Sequence, residues 1–135
     1  MKVYIDSSWL LRVMLRQSTV AALPPGAEVY SSLLLNVECR RTLDRHHQRR
    51  LISDESYVSI GQQLQQYLDQ VNMLDLSSDI VSRAAEPFFL PVGTLDALHL
   101  ATALKIREVE NEVLHLATFD DELALVARAH DLRVI

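Results

Sequence analysis

Three acidic residues stand where an apolar run hands over to a helix, in Val3-Tyr4-Ile5-Asp6-Ser7-Ser8, Thr94-Leu95-Asp96-Ala97 and Leu116-Ala117-Thr118-Phe119-Asp120, and Glu38 lies on a helix between them. Carboxylates gathered in one place repel one another, so at least one pKa rises unless a cation is shared. The pattern reads as a metal site. In an open α/β sheet, ligands bind in the crevice outside the carboxyl ends of the strands, where acids distant in sequence converge.

The elements that must position these acids follow from periodicity and turn residues. Lys2 to Ile5 is a short apolar run bounded by Asp6 and reads as a buried strand, followed by a helix from about Ser7 to Arg16. Pro24, Pro25 and Gly26 form a breaker, and Val29-Tyr30-Ser31 suggests a second strand. Ser32 is the expected cap of a helix that runs from Leu33 into a basic end at Arg50 and carries Glu38. Ser53-Asp54-Glu55 starts a helix reaching about Gln70, with Tyr57, Ile60, Leu64, Tyr67 and Leu68 on one face.

Val71 to Leu76 reads as a third strand, and Ser77-Ser78-Asp79 opens a short helix that ends near Pro87. After a loop over 88–93, Thr94 or Leu95 begins a helix through about Arg107. It is rich in Leu and Ala nearly all round and is expected to be deeply buried. Val113 to Ala117 is a fourth strand; the spacing from Thr118 to Asp121 predicts a capping box for a helix to about His130, and Leu132 to Ile135 closes the series. Strands alternating with helices imply a parallel sheet with right-handed crossovers.

The totals narrow the function classes. A chain of 135 residues with 49% hydrophobic content supports one compact domain over 1–135 with a real core. The net charge of −5 gives no general footprint for nucleic acid, so any such binding depends on local basic patches, bound cations or a partner. The lone Cys39 excludes an internal disulfide and a multi-cysteine metal site. There is neither a signal peptide nor a run of ~18 apolar residues, so a cytoplasmic protein is expected.

Each acid alone has an innocent explanation, because Asp is a favoured N-cap and the helix dipole stabilises acids in a first turn. Glu38, flanked by Asn36, Val37 and Cys39, is poorly explained as a solvated residue. Taken together, the Asp6-Ser7-Ser8 start, Glu38, the segment Leu95-Asp96-Ala97-Leu98-His99-Leu100-Ala101-Thr102-Ala103 and Thr118-Phe119-Asp120 resemble a PIN-domain ribonuclease, most of all the VapC toxins of bacterial toxin–antitoxin pairs. The resemblance covers the whole chain. It implies a three-layer α/β/α, Rossmann-like fold with a central, mostly parallel sheet of four to five strands.

It also implies an RNA substrate, a cognate antitoxin protein, a homodimer and an acidic quartet of Asp6, Glu38, Asp96 and Asp120 for Mg²⁺ or Mn²⁺. In these roles Asp6 and Asp96 hold the principal ion, and Glu38 and Asp120 complete the site. Thr118 is the polar residue expected to hold the last acid or a bound water, with Ser7 as a second auxiliary group. Mg²⁺ suits such an open cleft, since it takes oxygen ligands and keeps several waters. Asp121 adjoins Asp120, and the capping spacing gives it a local role outside the site.

The densest basic stretch holds Arg40, Arg41, Arg45, His46, His47, Arg49 and Arg50, of which Arg40, Arg41, Arg49 and Arg50 are the candidate RNA or partner contacts. A solvated helix face explains the same run equally well. His99, one turn after Asp96, reads as a hydrogen-bonded core histidine more readily than as a cleft residue. Cys39 is expected to be buried, and Tyr57, Tyr67, Phe88 and Phe89 fit core or interface positions better than base stacking.

Two other classes stay open beside the toxin: a housekeeping PIN nuclease for RNA processing, and a non-catalytic α/β binding module. A receiver-like module needs a lysine after a late strand, whereas the chain has only Lys2 and Lys105. Its three glycines, Gly26, Gly61 and Gly93, form no nucleotide-binding loop.

Overall fold

The computed structural model describes residues 1–16 and 22–135. Its elements are β1 (Lys2–Ile5), α1 (Ser7–Met14), β2 (Glu28–Ser32), α2 (Leu34–Gln48), α3 (Asp54–Leu68), β3 (Asn72–Leu74), α4 (Ser78–Ala84), α5 (Thr94–Glu110), β4 (Leu114–Ala117), α6 (Asp121–Ala129) and β5 (Arg133–Val134). The strands form one sheet in the order β3-β2-β1-β4-β5, and all four pairings are parallel. The first strand is therefore central, with Ile5 opposite Ala117 in β4.

Alternation along β1 sends side chains to both faces of the sheet. Val3 and Ile5 pack with Trp9, Leu10, Leu35, Cys39 and Leu64 from α1, α2 and α3. Tyr4 packs with Leu100, Leu104, Leu123 and Val126 from α5 and α6. Helices on both faces of a parallel sheet give the three layers. Each sheet residue buries apolar area on a side chosen by parity, so a register slip of one residue would invert both cores.

Element boundaries follow local chemistry. The first helix stops at Met14, two residues before the expected end, because Arg16 turns into the left-handed region at φ 50°. Ser53 and Ser77 cap α3 and α4 as expected, accepting from the backbone N–H groups of Ser56 and Ile80. Ser32 is not the N-cap of α2. That position is held by Leu33 in helical geometry, and the Ser32 hydroxyl accepts from the Leu34 N–H at 3.2 Å. The α5 helix runs three residues past the expected Arg107 and ends where Asn111 adopts φ 49°, a conformation that Asn tolerates well. Its residues from Leu100 to Leu104 are all buried.

The capping box expected from Thr118 does not form. Asp120 is the N-cap of α6, its Oδ1 accepting from the Leu123 N–H at 3.0 Å, and Asp121 falls in the exposed first turn. The Thr118 oxygen accepts from the Asp120 N–H at 3.0 Å instead of from Asp121, and its hydroxyl donates to Asp6 at 2.6 Å.

Candidate metal centre

Asp6, Glu38, Asp96 and Asp120 line one cleft of about 370 Å³ at the carboxyl ends of β1 and β4, together with Ser7, Ser8 and His99. The central strand delivers Asp6, which caps α1 by accepting from the Trp9 N–H at 3.0 Å. Capping and participation in the cleft are thus compatible in one residue. Its carboxylate also accepts from the Ser8 hydroxyl at 2.7 Å and from Thr118. Burial raises the Asp6 pKa even so, against the hydrogen bonds that favour the ionised form.

Glu38 enters from the second turn of α2. Its Oε1 lies 2.5 Å from His99 Nε2, and Oε2 accepts from the Ser7 hydroxyl at 3.2 Å. His99 is 1% exposed and reaches Tyr4 with its other nitrogen, at 2.7 Å. The two readings of this histidine therefore both hold: it is a hydrogen-bonded core residue, and one edge of its ring faces the cleft. Burial drives the Tyr4 hydroxyl pKa well above its ordinary value.

Asp96, in the first turn of α5, has no hydrogen-bond partner among the described residues. Its pKa is pushed up to about 6 by burial first and then by the charges of Asp120, Asp6 and Glu38, with His99 opposing. Among the described residues, no three Asp, Glu, His or Cys side chains are grouped to hold one ion directly. An all-oxygen donor set around an open cleft instead fits a hydrated hard cation bound through one or two carboxylates and its own waters. The charge repulsion recorded in Asp96 is what such a cation relieves.

Thr118 is bonded to both the first acid and the last: its hydroxyl donates to Asp6, and its oxygen accepts from the Asp120 backbone N–H at 3.0 Å. Ser8 was not anticipated as part of the site. Its oxygen accepts from the Phe119 N–H at 2.8 Å and so ties the first turn of α1 to the end of β4. The signal was the Asp-x-Ser spacing at an N-cap, where the third residue folds back over the carboxylate. Beside it, the Arg12 guanidinium lies 4.2 Å from the Phe119 ring centroid, an exposed cation–aromatic pair at the rim.

The basic stretch is not brought to the acids. Arg40 donates to Gln65 at 2.8 Å and to Asn36 at 3.2 Å, and Arg41 pairs with Asp44. Arg49 and Arg50 are exposed at the far end of α2, about 16 Å along the axis from Glu38 at 1.5 Å per residue. Cys39 is fully buried, and burial pushes its thiol up to about 12. Tyr67 packs on Trp9 and Tyr57 stacks on His47, whereas Phe89 is 76% exposed beside His130. A larger groove of about 800 Å³ runs between α4 and the start of α5, lined by Val81, Phe88, Phe89, Leu90 and Val92 with Glu86 as its titratable group.

No helix among the described residues is long and apolar enough to cross a membrane. No curated protein sequence matches the chain. Solved structures do: a toxin–antitoxin complex from Klebsiella pneumoniae is 23% identical, with 87% of this chain and 86% of that one covered and a TM-score of 0.55. VapBC2 from Rickettsia felis, bound to a DNA fragment from its promoter, is 13% identical over 100% and 98% of the two chains, with a TM-score of 0.66. The sarcin-ricin loop cleaving toxin VapC20 of Mycobacterium tuberculosis is 14% identical over 91% and 93%, with a TM-score of 0.62. At these identities the likeness is one of fold. The family follows from the sequence itself: the PIN domain profile matches residues 3–129, and the chain belongs to the PIN domain family.

Proposed function

We propose that this chain is a divalent-cation-dependent endoribonuclease, a single PIN domain over residues 1–135 that serves in the cytoplasm as the toxin of a toxin–antitoxin pair. The observation that carries this reading is the convergence of four acids on one cleft, with Asp96 held at about 6 by burial and by its three acidic neighbours. Mg²⁺ or Mn²⁺ suits the oxygen donors. When bound, the cation supplies Lewis-acid polarisation of a phosphoryl oxygen and an acidified water.

The side chains have distinct parts in this reading. Asp6 and Asp96 hold the principal ion, and Glu38 and Asp120 complete the site directly or through water. Thr118 and Ser8 fix the Asp6 carboxylate from two sides, and Ser7 steadies Glu38. RNA is the substrate that the likeness to VapC20 supports. A cognate antitoxin is supported by the likeness to toxin–antitoxin and VapBC complexes, and by an apolar groove with exposed Phe89 and Val81 that suits a protein partner. A homodimer completes the proposed assembly.

The test is expression of the wild-type and Asp6→Asn chains in a bacterial host, followed by mapping of new RNA ends. Growth arrest with discrete new 5′ ends from the wild type alone is expected. Identical outcomes from two folded chains would defeat the nuclease assignment.

A further inference from the structure

Glutamate carries three side-chain torsions, so a carboxylate reaching from the second turn of α2 into a shared cleft needs an anchor to present one oxygen in a fixed place. The anchor is unusual in its depth. His99 comes from the opposite layer of the molecule, is 1% exposed, and meets Glu38 Oε1 through Nε2 at 2.5 Å. An ionised carboxylate only accepts, so Nε2 carries the hydrogen of this bond. In the neutral ring Nδ1 then accepts from the Tyr4 hydroxyl, which lies 2.7 Å away, with the two rings edge to face at 5.8 Å. Tyr4 is itself fully buried in the central strand, two residues before Asp6.

We infer that His99 is a positioning residue for Glu38, and that Tyr4, His99 and Glu38 form one hydrogen-bonded relay linking the sheet to the cleft. The relay fixes three things in series. Tyr4 is immobilised by the strand, its hydroxyl holds the imidazole through Nδ1, and the Nε2 hydrogen holds the Glu38 oxygen facing His99. Ser7 holds the other oxygen more loosely, at 3.2 Å. In this role His99 acts through Glu38, setting where that carboxylate stands when substrate and cation arrive. Outer partners that orient a ligand in this way are worth about 10- to 100-fold in metal affinity or activity.

The inference rests on the proposed metal site, and the experiment separates the two. Mn²⁺ affinity of the full chain without RNA, and kcat and KM for RNA cleavage, are measured for wild type, His99→Leu, His99→Gln and Asp96→Asn, with folding checked by circular dichroism. His99→Leu removes both ring contacts at similar volume, and His99→Gln restores an amide N–H where Nε2 stood. The expected result is a loss of about 10- to 100-fold in Mn²⁺ affinity and kcat for His99→Leu, with KM little changed, and recovery to within a few-fold in His99→Gln.

Equal impairment of the two folded His99 variants would show that packing matters and the donor does not, overturning the inference. Wild-type behaviour of His99→Leu while Asp96→Asn fails to bind Mn²⁺ overturns the relay alone; wild-type behaviour of both overturns the metal site with it. Should His99→Leu fail to fold, ¹⁵N NMR of the wild-type imidazole decides. A protonated Nε2 in a carboxylate hydrogen bond supports the relay, and an unprotonated Nε2 overturns it.

Discussion

The two walls of the acidic cleft are built differently. On the inner wall, Asp6 and Glu38 are held by hydroxyls, a backbone N–H and a buried imidazole, with every oxygen engaged. On the outer wall, Asp120 uses one oxygen to cap α6, and Asp96 has no hydrogen-bond partner among the described residues. The inner acids are fixed before any ligand arrives, while Asp96 carries the cost of burial and of its acidic neighbours. One wall supplies geometry and the other supplies electrostatic demand.

The sharpest way to break this contrast is by neutralisation. Asp6→Asn and Asp96→Asn should each lower RNA cleavage by on the order of 10²–10³-fold, as removal of one electrostatic group at a reacting centre does. A purified Asp96→Asn variant with near-normal turnover would leave the outer wall without a role. In stability the walls should diverge. Thr118→Val deprives the buried Asp6 carboxylate of its 2.6 Å donor and should cost about 2 kcal/mol, read as a fall of several degrees in melting temperature. Asp96→Asn removes repulsion and should raise the melting temperature of the cation-free protein at pH 7 by a few degrees.

The same contrast has a pH signature. The folded pKa of Asp96, about 6, exceeds the ordinary 3.8, so the folded chain binds the extra proton between these values. Its contribution to stability is greatest below pH 3.8 and is lost as pH rises through 6. Urea titrations of cation-free protein from pH 4 to 7 should show this decline, and Asp96→Asn should flatten it. Added Mg²⁺ should restore stability at pH 7 by mass action. Smallest of all is the expected effect of the remote basic end: Arg49→Gln with Arg50→Gln should lower the salt slope of RNA binding by about 1.4 and leave kcat unchanged. An unaltered slope would return those arginines to the status of a solvated helix face.

Much of this was legible in the chain. The order of elements followed from apolar runs and serine caps, and the three strand-end acids followed from their place after those runs. What was hidden depended on contacts between layers. Thr118 had the spacing of a cap, and only the neighbouring strand shows that its hydroxyl is taken by Asp6. Glu38 and His99 lie 61 residues apart on opposite faces of the sheet, so neither helix pattern reveals their bond. The basic run on α2 fitted a substrate path and a solvated face equally well, and only the helix axis shows how far its last turn lies from Glu38. Periodicity reports which face of an element is buried; it does not report what meets that face.

The position of β1 in the sheet has a consequence during synthesis. β1 precedes the other four described strands and lies in the middle of the sheet, and its partner β4 begins more than a hundred residues later. Such distant pairing delays folding, because a long loop must close before the contact forms. Asp6 leaves the ribosome more than a hundred residues before Thr118 and Asp120 can reach it. A nascent chain interrupted anywhere before residue 118 holds an incomplete cleft, so the activity proposed here is withheld until Thr118 and Asp120 have been joined to it.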